Sequence, residues 1–243
     1  MTTTIETLIN GRWRLKLLHH RAKLDLWRTG WEVERVESMH ANLKPGMKIW
    51  DIGAEEGDFA CLWSSWGCEV GLIEPGERVW ANICETWRTN NAHDPLFCYQ
   101  GFAGAKNYVP SGYPHEQRHL WPMAACGPII DDHGFRVIHE RPDIPSRTLD
   151  SLAEQYGEPD ALTIDVEGAE FEVFKGAERV LREVKPLIWV SLHPEPMANA
   201  FDTPPSVLQQ SLRDMGYGQR LLWLDHELHL FAWHPDVHDP VLP

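Results

Sequence analysis

Ile49-Trp50-Asp51-Ile52-Gly53-Ala54-Glu55-Glu56-Gly57 is the stretch from which the rest of this chain can be read. The run Lys48 to Ile52 reads as a strand, the glycines as a turn. Phe59, Leu62, Trp63 and Trp66 then recur at i, i+3, i+4, i+7, the period of a helix with one buried face. Strand, glycine turn and helix in that order start an open α/β sheet, and glycine at the turn lets a ligand approach the backbone closely. A dinucleotide fingerprint would read G-x-G-x-x-G, but Asp51 stands where the first glycine belongs and Glu55 and Asp58 supply none of the others. Glu55 and Glu56 at the turn repel a pyrophosphate and tolerate a cation, since like and unlike charges about 4 Å apart differ by several kcal/mol.

Outward from that turn the alternation continues. Glu69 to Ile73 reads as a second strand, followed by a helix carrying Val79, Ile83 and Trp87, and Leu96 to Tyr99 reads as a third. Glu74 ends the second strand, where an acidic residue accepts hydrogen bonds from both ribose hydroxyls of a nucleoside cofactor. The plainer alternatives are a solvated strand end for Glu74 and a turn-former for Asp51.

Residues 104–143 are rich in Gly, Pro and His without a period and read as a long insertion over one face. Leu149, Leu152, Ala153 and Tyr156 mark a helix stopping at Gly157, and Ala161 to Asp165 a strand. A single helix with Val173, Phe174, Ala177, Val180 and Leu181 inward comes next, then the apolar strand Leu187 to Leu192. Thr203, before Pro204 and Pro205, caps a helix ending at Gly216, and Leu221 to Leu224 with Leu228 to Trp233 form a closing antiparallel hairpin. Residues 1–45, with Trp13, Trp27 and Trp31, form a helical or strand-and-helix cap, and residues 46–243 the main α/β domain.

At 243 residues, 43% hydrophobic and 24% charged, one core is expected, and no apolar run approaches the roughly 20 residues a membrane span needs. Met1 to Ile9 lacks the pattern of a secretory signal, so a cytoplasmic location is expected. Cys61, Cys68, Cys84, Cys98 and Cys126 include no CxxC pair and read as reduced core residues. Trp63, Trp66, Trp80 and Trp87 fall at helical spacing and read as core packing. A formal charge of −14 opposes a nucleic-acid partner. Nothing in the sequence sets an oligomeric state.

Asp51-Ile52-Gly53-Ala54 with Gly57, Leu72-Ile73-Glu74-Pro75, Thr148-Leu149-Asp150-Ser151-Leu152 and Ile164-Asp165-Val166-Glu167-Gly168-Ala169-Glu170 together resemble the FkbM-type methyltransferases. The resemblance runs from about Trp31 to Trp233, with Lys175-Gly176-Ala177 and Lys185-Pro186-Leu187 as landmarks. It implies a Rossmann-like class I methyltransferase fold, in which a seven-stranded, mostly parallel sheet ends in a C-terminal antiparallel hairpin with helices on both faces. It also implies S-adenosylmethionine, itself a cation, as donor, and a small-molecule hydroxyl acceptor on a sugar, natural product or metabolite. Asp51, Gly53, Ala54, Gly57, Glu74, Phe102 and Ala103 are the candidate cofactor residues. The chain departs from the family in Glu55-Glu56, where an Asn and a small or apolar residue are common, and in Ser191, where a carboxylate is expected. An N-methyltransferase and a non-catalytic nucleoside- or partner-binding module remain as alternatives.

Methyl transfer from a sulfonium is an in-line displacement, helped by positioning and by a base near the hydroxyl. Asp165, Glu167 and His193 lie at carboxyl ends of strands, where open α/β sheets bind ligands, and His193 is the favoured base. Capping the helix that starts near Gly168 is the alternative for Asp165 and Glu167. For His193, ahead of Pro194-Glu195-Pro196, the alternative is a polar loop position. Mg²⁺ on these three is conceivable but not favoured, because magnesium prefers oxygen ligands. His226, Glu227 and His229 lack the spacing of a zinc helix and read as surface residues. His115, His119 and His133 are the reserve base candidates in the insertion.

Overall fold

The computed structural model describes residues 4–90, 93–113, 120–130, 141–224 and 227–242. The first segment forms the antiparallel hairpin β1 (Thr4–Ile9) and β2 (Trp13–Leu18), then α1 (His19–Ala22), α2 (Leu26–Thr29) and α3 (Val33–Asn42). Along β2 the period of two buries Trp13, Leu15 and Leu17. The quoted stretch supplies β3 (Lys48–Ile52), the turn and α4 (Asp58–Ser65), followed by β4 (Glu69–Ile73), α5 (Trp80–Thr89) and β5 (Phe97–Tyr99). A two-residue strand β6 (Phe102–Ala103) pairs in parallel with β7 (Ser146–Arg147), drawing together the two ends of the insertion. After α6 (Leu149–Tyr156) come β8 (Ala161–Ile164), α7 (Glu170–Lys175), β9 (Leu187–Leu192), α8 (Pro194–Phe201), α9 (Pro205–Asp214), β10 (Gly218–Leu224) and β11 (Leu228–Trp233).

The main sheet has seven strands in the order β10-β11-β9-β8-β3-β4-β5. The five strands from β9 to β5 pair in parallel, while β11 runs antiparallel to both β9 and β10. Ile52 lies opposite Ile73 and Ile164, so β3, β4 and β8 end level. Side-chain alternation divides the interior in two. Ile49, Leu72, Trp189 and Phe231 face the N-terminal hairpin, α4 and α5, whereas Trp50, Ile73, Ile164 and Val190 face α6, α7, α8 and α9. Helices therefore cover both faces, and the N-terminal segment packs into the first of the two cores.

Several local expectations change. The helix expected over Val173 to Leu181 is interrupted: α7 stops at Gly176, where a Cβ would lie 2.1 Å from the Gly104 carbonyl oxygen, and Val180–Val184 form a separate wide turn. Its predicted inward residues are all buried. Thr203 is not the cap of α9; its hydroxyl donates to the Phe201 carbonyl, and Pro204 holds the cap position. Residues after His193 form α8 rather than a loop, since Pro194 occupies the first helical position, where a missing N–H costs nothing. Cys126 is exposed; the other four cysteines are buried and all five are free. Trp63, Trp80 and Trp87 are core residues and Trp66 is half-buried. No helix among the described residues is long and apolar enough to cross a membrane.

Candidate functional site

A cavity of about 1140 Å³ opens over the carboxyl ends of β3, β4, β8 and β9. Asp51, Gly53, Ala54, Glu74, Phe102 and Ala103 line it, together with Asp165, Glu167 and His193. Gly57 does not. It takes a left-handed conformation (φ 76) ahead of α4, and a Cβ there would lie 3.1 Å from Ile83 Cγ2, so its part is in helix packing. Gly53 also differs from expectation in what requires it: at φ 90, an added Cβ would lie 1.8 Å from the Asp165 carbonyl oxygen. Glycine here lets the turn after β3 meet the end of β8, setting the two groups of site residues side by side.

Glu74 is held by the backbone. Its Oε2 accepts from the Glu55 N–H (3.1 Å) and its Oε1 from the Gly76 N–H (2.6 Å). Burial pushes its pKa up to about 7, against the lowering by those two hydrogen bonds. Burial also raises the pKa of Asp51, partly offset by the charge of Arg35.

The carboxylates of the turn are already answered. Arg21 of α1 makes paired 2.8 Å hydrogen bonds to Glu55 and reaches Asp58 at 2.5 Å, while His20 lies 2.6 Å from Glu56. Charge at Glu55 and Glu56 is therefore spent on the N-terminal segment and not left for a cationic ligand. Arg21 is largely buried and the Asp58 side chain is 3% exposed. Arg21→Ala should thus lower unfolding free energy by about 3 to 5 kcal/mol, by stranding the buried Asp58 carboxylate. A denaturant titration with an unshifted midpoint would refute this.

Beneath the acceptor side, Asp51, Thr163 and Ser191 occupy the sheet face turned toward α3. The buried Arg35 of α3 crosses them, donating to Ser191 Oγ at 3.1 Å and to the Thr163 hydroxyl, and approaching Asp165 at 3.5 Å. Arg35 also pairs with Glu32. Ser191, where a carboxylate was expected, is thus an acceptor for this guanidinium.

His193 sits among carboxylates. Its Nδ1 is 2.7 Å from Glu170 Oε1, and its Nε2 lies 3.1 Å from Glu227, 3.5 Å from Glu167 and 3.7 Å from Asp165. Burial acts to lower its pKa, but the hydrogen bonds to Glu170 and Glu227 and the charge of Asp165 outweigh it and push it up to about 11. A ring that keeps its proton at neutral pH does not accept another, so a base role for His193 requires the charge around it to change first. At the start of α7 Ala169 holds the cap position, and the Gly168 N–H donates to Glu170.

Glu227 and His229 are not surface residues: they are 4% and 2% exposed, and His229 Nε2 stands 3.3 Å from Glu227. His226, His115, His119 and His133 lie outside the described residues. The period of two in β11 puts His229 on the same face as the buried Phe231, a signal present in the sequence. Glu170 stood inside the motif ending at that residue. Glu32, Glu55 and Glu167 all adopt left-handed backbone (φ 46, 49 and 55), a conformation that costs a non-glycine residue about 1 kcal/mol and concentrates at functional sites.

Residues 51–218 match the family model of the methyltransferase FkbM domain, more than half of the chain. Among solved structures the chain is similar to a methyltransferase FkbM from Methylobacillus flagellatus KT (17% identity, TM-score 0.52), over 79% of this chain and 44% of that one. It thus spans less than half of that relative. It is also similar to a ribosomal protein L11 methylase from Lactobacillus delbrueckii subsp. bulgaricus (9% identity, TM-score 0.51), over 83% of this chain and 77% of that one. At these identities the two structures speak for the fold. No curated protein matches the chain. The order of the seven strands, the cavity at their carboxyl ends and the match across residues 51–218 agree, and the chain belongs to the FkbM-domain methyltransferases.

Proposed function

We propose that this protein transfers a methyl group from S-adenosylmethionine to a hydroxyl of a small molecule. The observation that carries the reading is that one cavity takes in both Glu74 and the cluster of Asp165, Glu167 and His193. Glu74 would hold the donor. Each of its oxygens accepts one backbone N–H and keeps a second lone pair for a ribose hydroxyl. Gly53 and Ala54 leave room over the turn, and Phe102 and Ala103 supply a wall. With Glu55, Glu56 and Asp58 set aside as already paired, carboxylates still outnumber guanidinium groups around the cavity, which suits a sulfonium cation and disfavours a phosphorylated ligand. When bound, S-adenosylmethionine supplies an electrophilic methyl carbon. The chain's own residues orient the acceptor oxygen in line with it and receive the acceptor's proton among the carboxylates that surround His193. The net charge of −14 favours a small acceptor over a nucleic acid, and the free cysteines fit a reducing, cytoplasmic setting.

Isothermal titration with S-adenosylmethionine and with its demethylated product tests this directly. Both should bind; if neither does, the reading fails. Glu74→Ala should weaken donor binding by about 1 to 3 kcal/mol, through loss of a charged acceptor for two hydroxyls. Because the Glu74 carboxyl titrates near pH 7 and hydroxyls donate best to the ionised form, donor affinity should fall by up to about tenfold per unit below that pH and level off above it. Glu74→Gln should flatten the profile. A wild-type affinity constant from pH 5 to 8 would remove Glu74 from the site.

A further inference from the structure

His193 is built into its surroundings more firmly than a base requires. Glu170, 0% exposed, holds Nδ1 at 2.7 Å, and the second oxygen of that carboxylate, Oε2, is buried with no hydrogen-bond partner among the described residues. With Nδ1 engaged, Nε2 is turned to Asp165, Glu167 and Glu227. One ligand atom each from Asp165, Glu167 and His193 lies within 4.8 Å of the other two.

We propose that Asp165, Glu167 and His193 Nε2 bind a divalent transition cation of the manganese class, beside which the acceptor hydroxyl gives up its proton. The proposal rests on the reading of this cluster as the acceptor side of a methyltransferase. Ligands of one small cation, each about 2.0 to 2.3 Å from it, stand up to roughly 4.5 Å apart, so these three need little adjustment to converge. A carboxylate on the far nitrogen is the usual support of a metal-bound histidine, fixing the tautomer and strengthening the ligand. Glu170 is placed for that part. The donor set narrows the metal class: Mg²⁺ and Ca²⁺ favour all-oxygen shells, whereas an imidazole beside two carboxylates suits a first-row transition cation, of which Mn²⁺ best accepts a mostly oxygen shell. All three residues line the cavity, so an ion held by them would be within reach of an acceptor there.

The chemistry balances without redox change. The acceptor O–H bond breaks and its proton passes to Glu227 Oε2, which loses its hydrogen bond from His193 Nε2 when that nitrogen takes the cation, while the other oxygen of Glu227 is held by His229 at 3.3 Å. The oxygen's electron pair forms the bond to the methyl carbon, and the C–S pair returns to sulfur. The cation keeps its oxidation state throughout.

Protein dialysed against a chelator should be titrated with Mn²⁺, following the electron paramagnetic resonance sextet of the free ion, with S-adenosylmethionine binding measured separately by calorimetry. One Mn²⁺ per chain should lose its signal on binding. Asp165→Asn and His193→Ala should weaken Mn²⁺ at least tenfold, and Glu170→Gln about 10- to 100-fold through His193 alone. Thermal melts will show whether each variant is folded, and Glu167→Gln, on a half-buried residue, serves if His193→Ala is not. An unchanged sextet with the wild-type protein overturns the proposal, as does equal Mn²⁺ affinity in folded variants. Because donor binding is read independently, protein that binds S-adenosylmethionine but no Mn²⁺ sinks the cation and leaves the methyltransferase reading intact. Mn²⁺ binding without donor binding does the reverse.

Discussion

Replacing His193 by alanine should slow methyl transfer by about 10²- to 10⁴-fold while leaving S-adenosylmethionine affinity nearly unchanged. Its ring ends β9 and faces Asp165 and Glu167, whereas the donor's ribose is assigned to Glu74 at the end of β4. A contribution made only as the acceptor loses its proton acts on the transition state and not on donor binding. The same substitution leaves Glu170 and Glu227 without the cation they share, so a loss of stability should accompany it. His193→Asn, which can still donate to Glu170, separates the two effects: stability should recover further than rate. Single-turnover rates and calorimetry on folded variants provide the check. Full activity of His193→Ala from pH 6 to 9 on a genuine acceptor would remove His193 from the chemistry.

The second large effect concerns the fold itself. Gly53→Val should destabilise the domain by more than about 4 kcal/mol, enough to lower the melting temperature by roughly 10 °C or to prevent folding. Two causes act together: φ is 90, and the new Cβ would sit 1.8 Å from the carbonyl oxygen of Asp165, a backbone atom that cannot turn aside. Gly53→Ala carries the same Cβ, so it should also lose several kcal/mol. A Gly53→Ala protein melting with the wild type would show that the turn accommodates a side chain. The outcome also separates two reasons for glycine at this position, since a glycine needed only for ligand approach would leave the unliganded protein's melting unaffected.

Local patterns made much of the architecture legible. Lys48 to Ile52, Glu69 to Ile73 and Leu187 to Leu192 coincide with observed strands because short apolar runs bounded by turn residues carry their own signal. The donor half was equally readable, since Asp51, Gly53, Ala54 and Glu74 lie on two strand ends and one turn. Its electrostatics were not. The partners of Glu55 and Glu56 are Arg21 and His20, more than thirty residues away on a helix of four residues, with no local pattern to announce them. Arg35 is further still, 156 residues from Ser191 in sequence. Glu227 and His229 differ from expectation for another reason: a polar turn between two strands suggests solvent, whereas Glu227 lines the cavity and the alternation along β11 buries His229 opposite Ser191.

The short pairing of β6 with β7 has a consequence for how this molecule can diversify. Phe102 and Ala103 lie opposite Ser146 and Arg147, and Tyr108 bridges back to Ser146, so the chain leaves and re-enters the domain through one narrow neck. What lies beyond the neck is tethered at a fixed separation whatever its length, and doubling such an excursion adds only about 0.6 kcal/mol of closure entropy. Changes of length within residues 104–143 can accordingly be absorbed while β3, β4 and β8 keep their places, provided that Trp121 keeps its seat beside Trp87 and Ile130 its pairing with Asn82. The strand ends that floor the cavity and the excursion beyond the neck are then free to evolve at different rates.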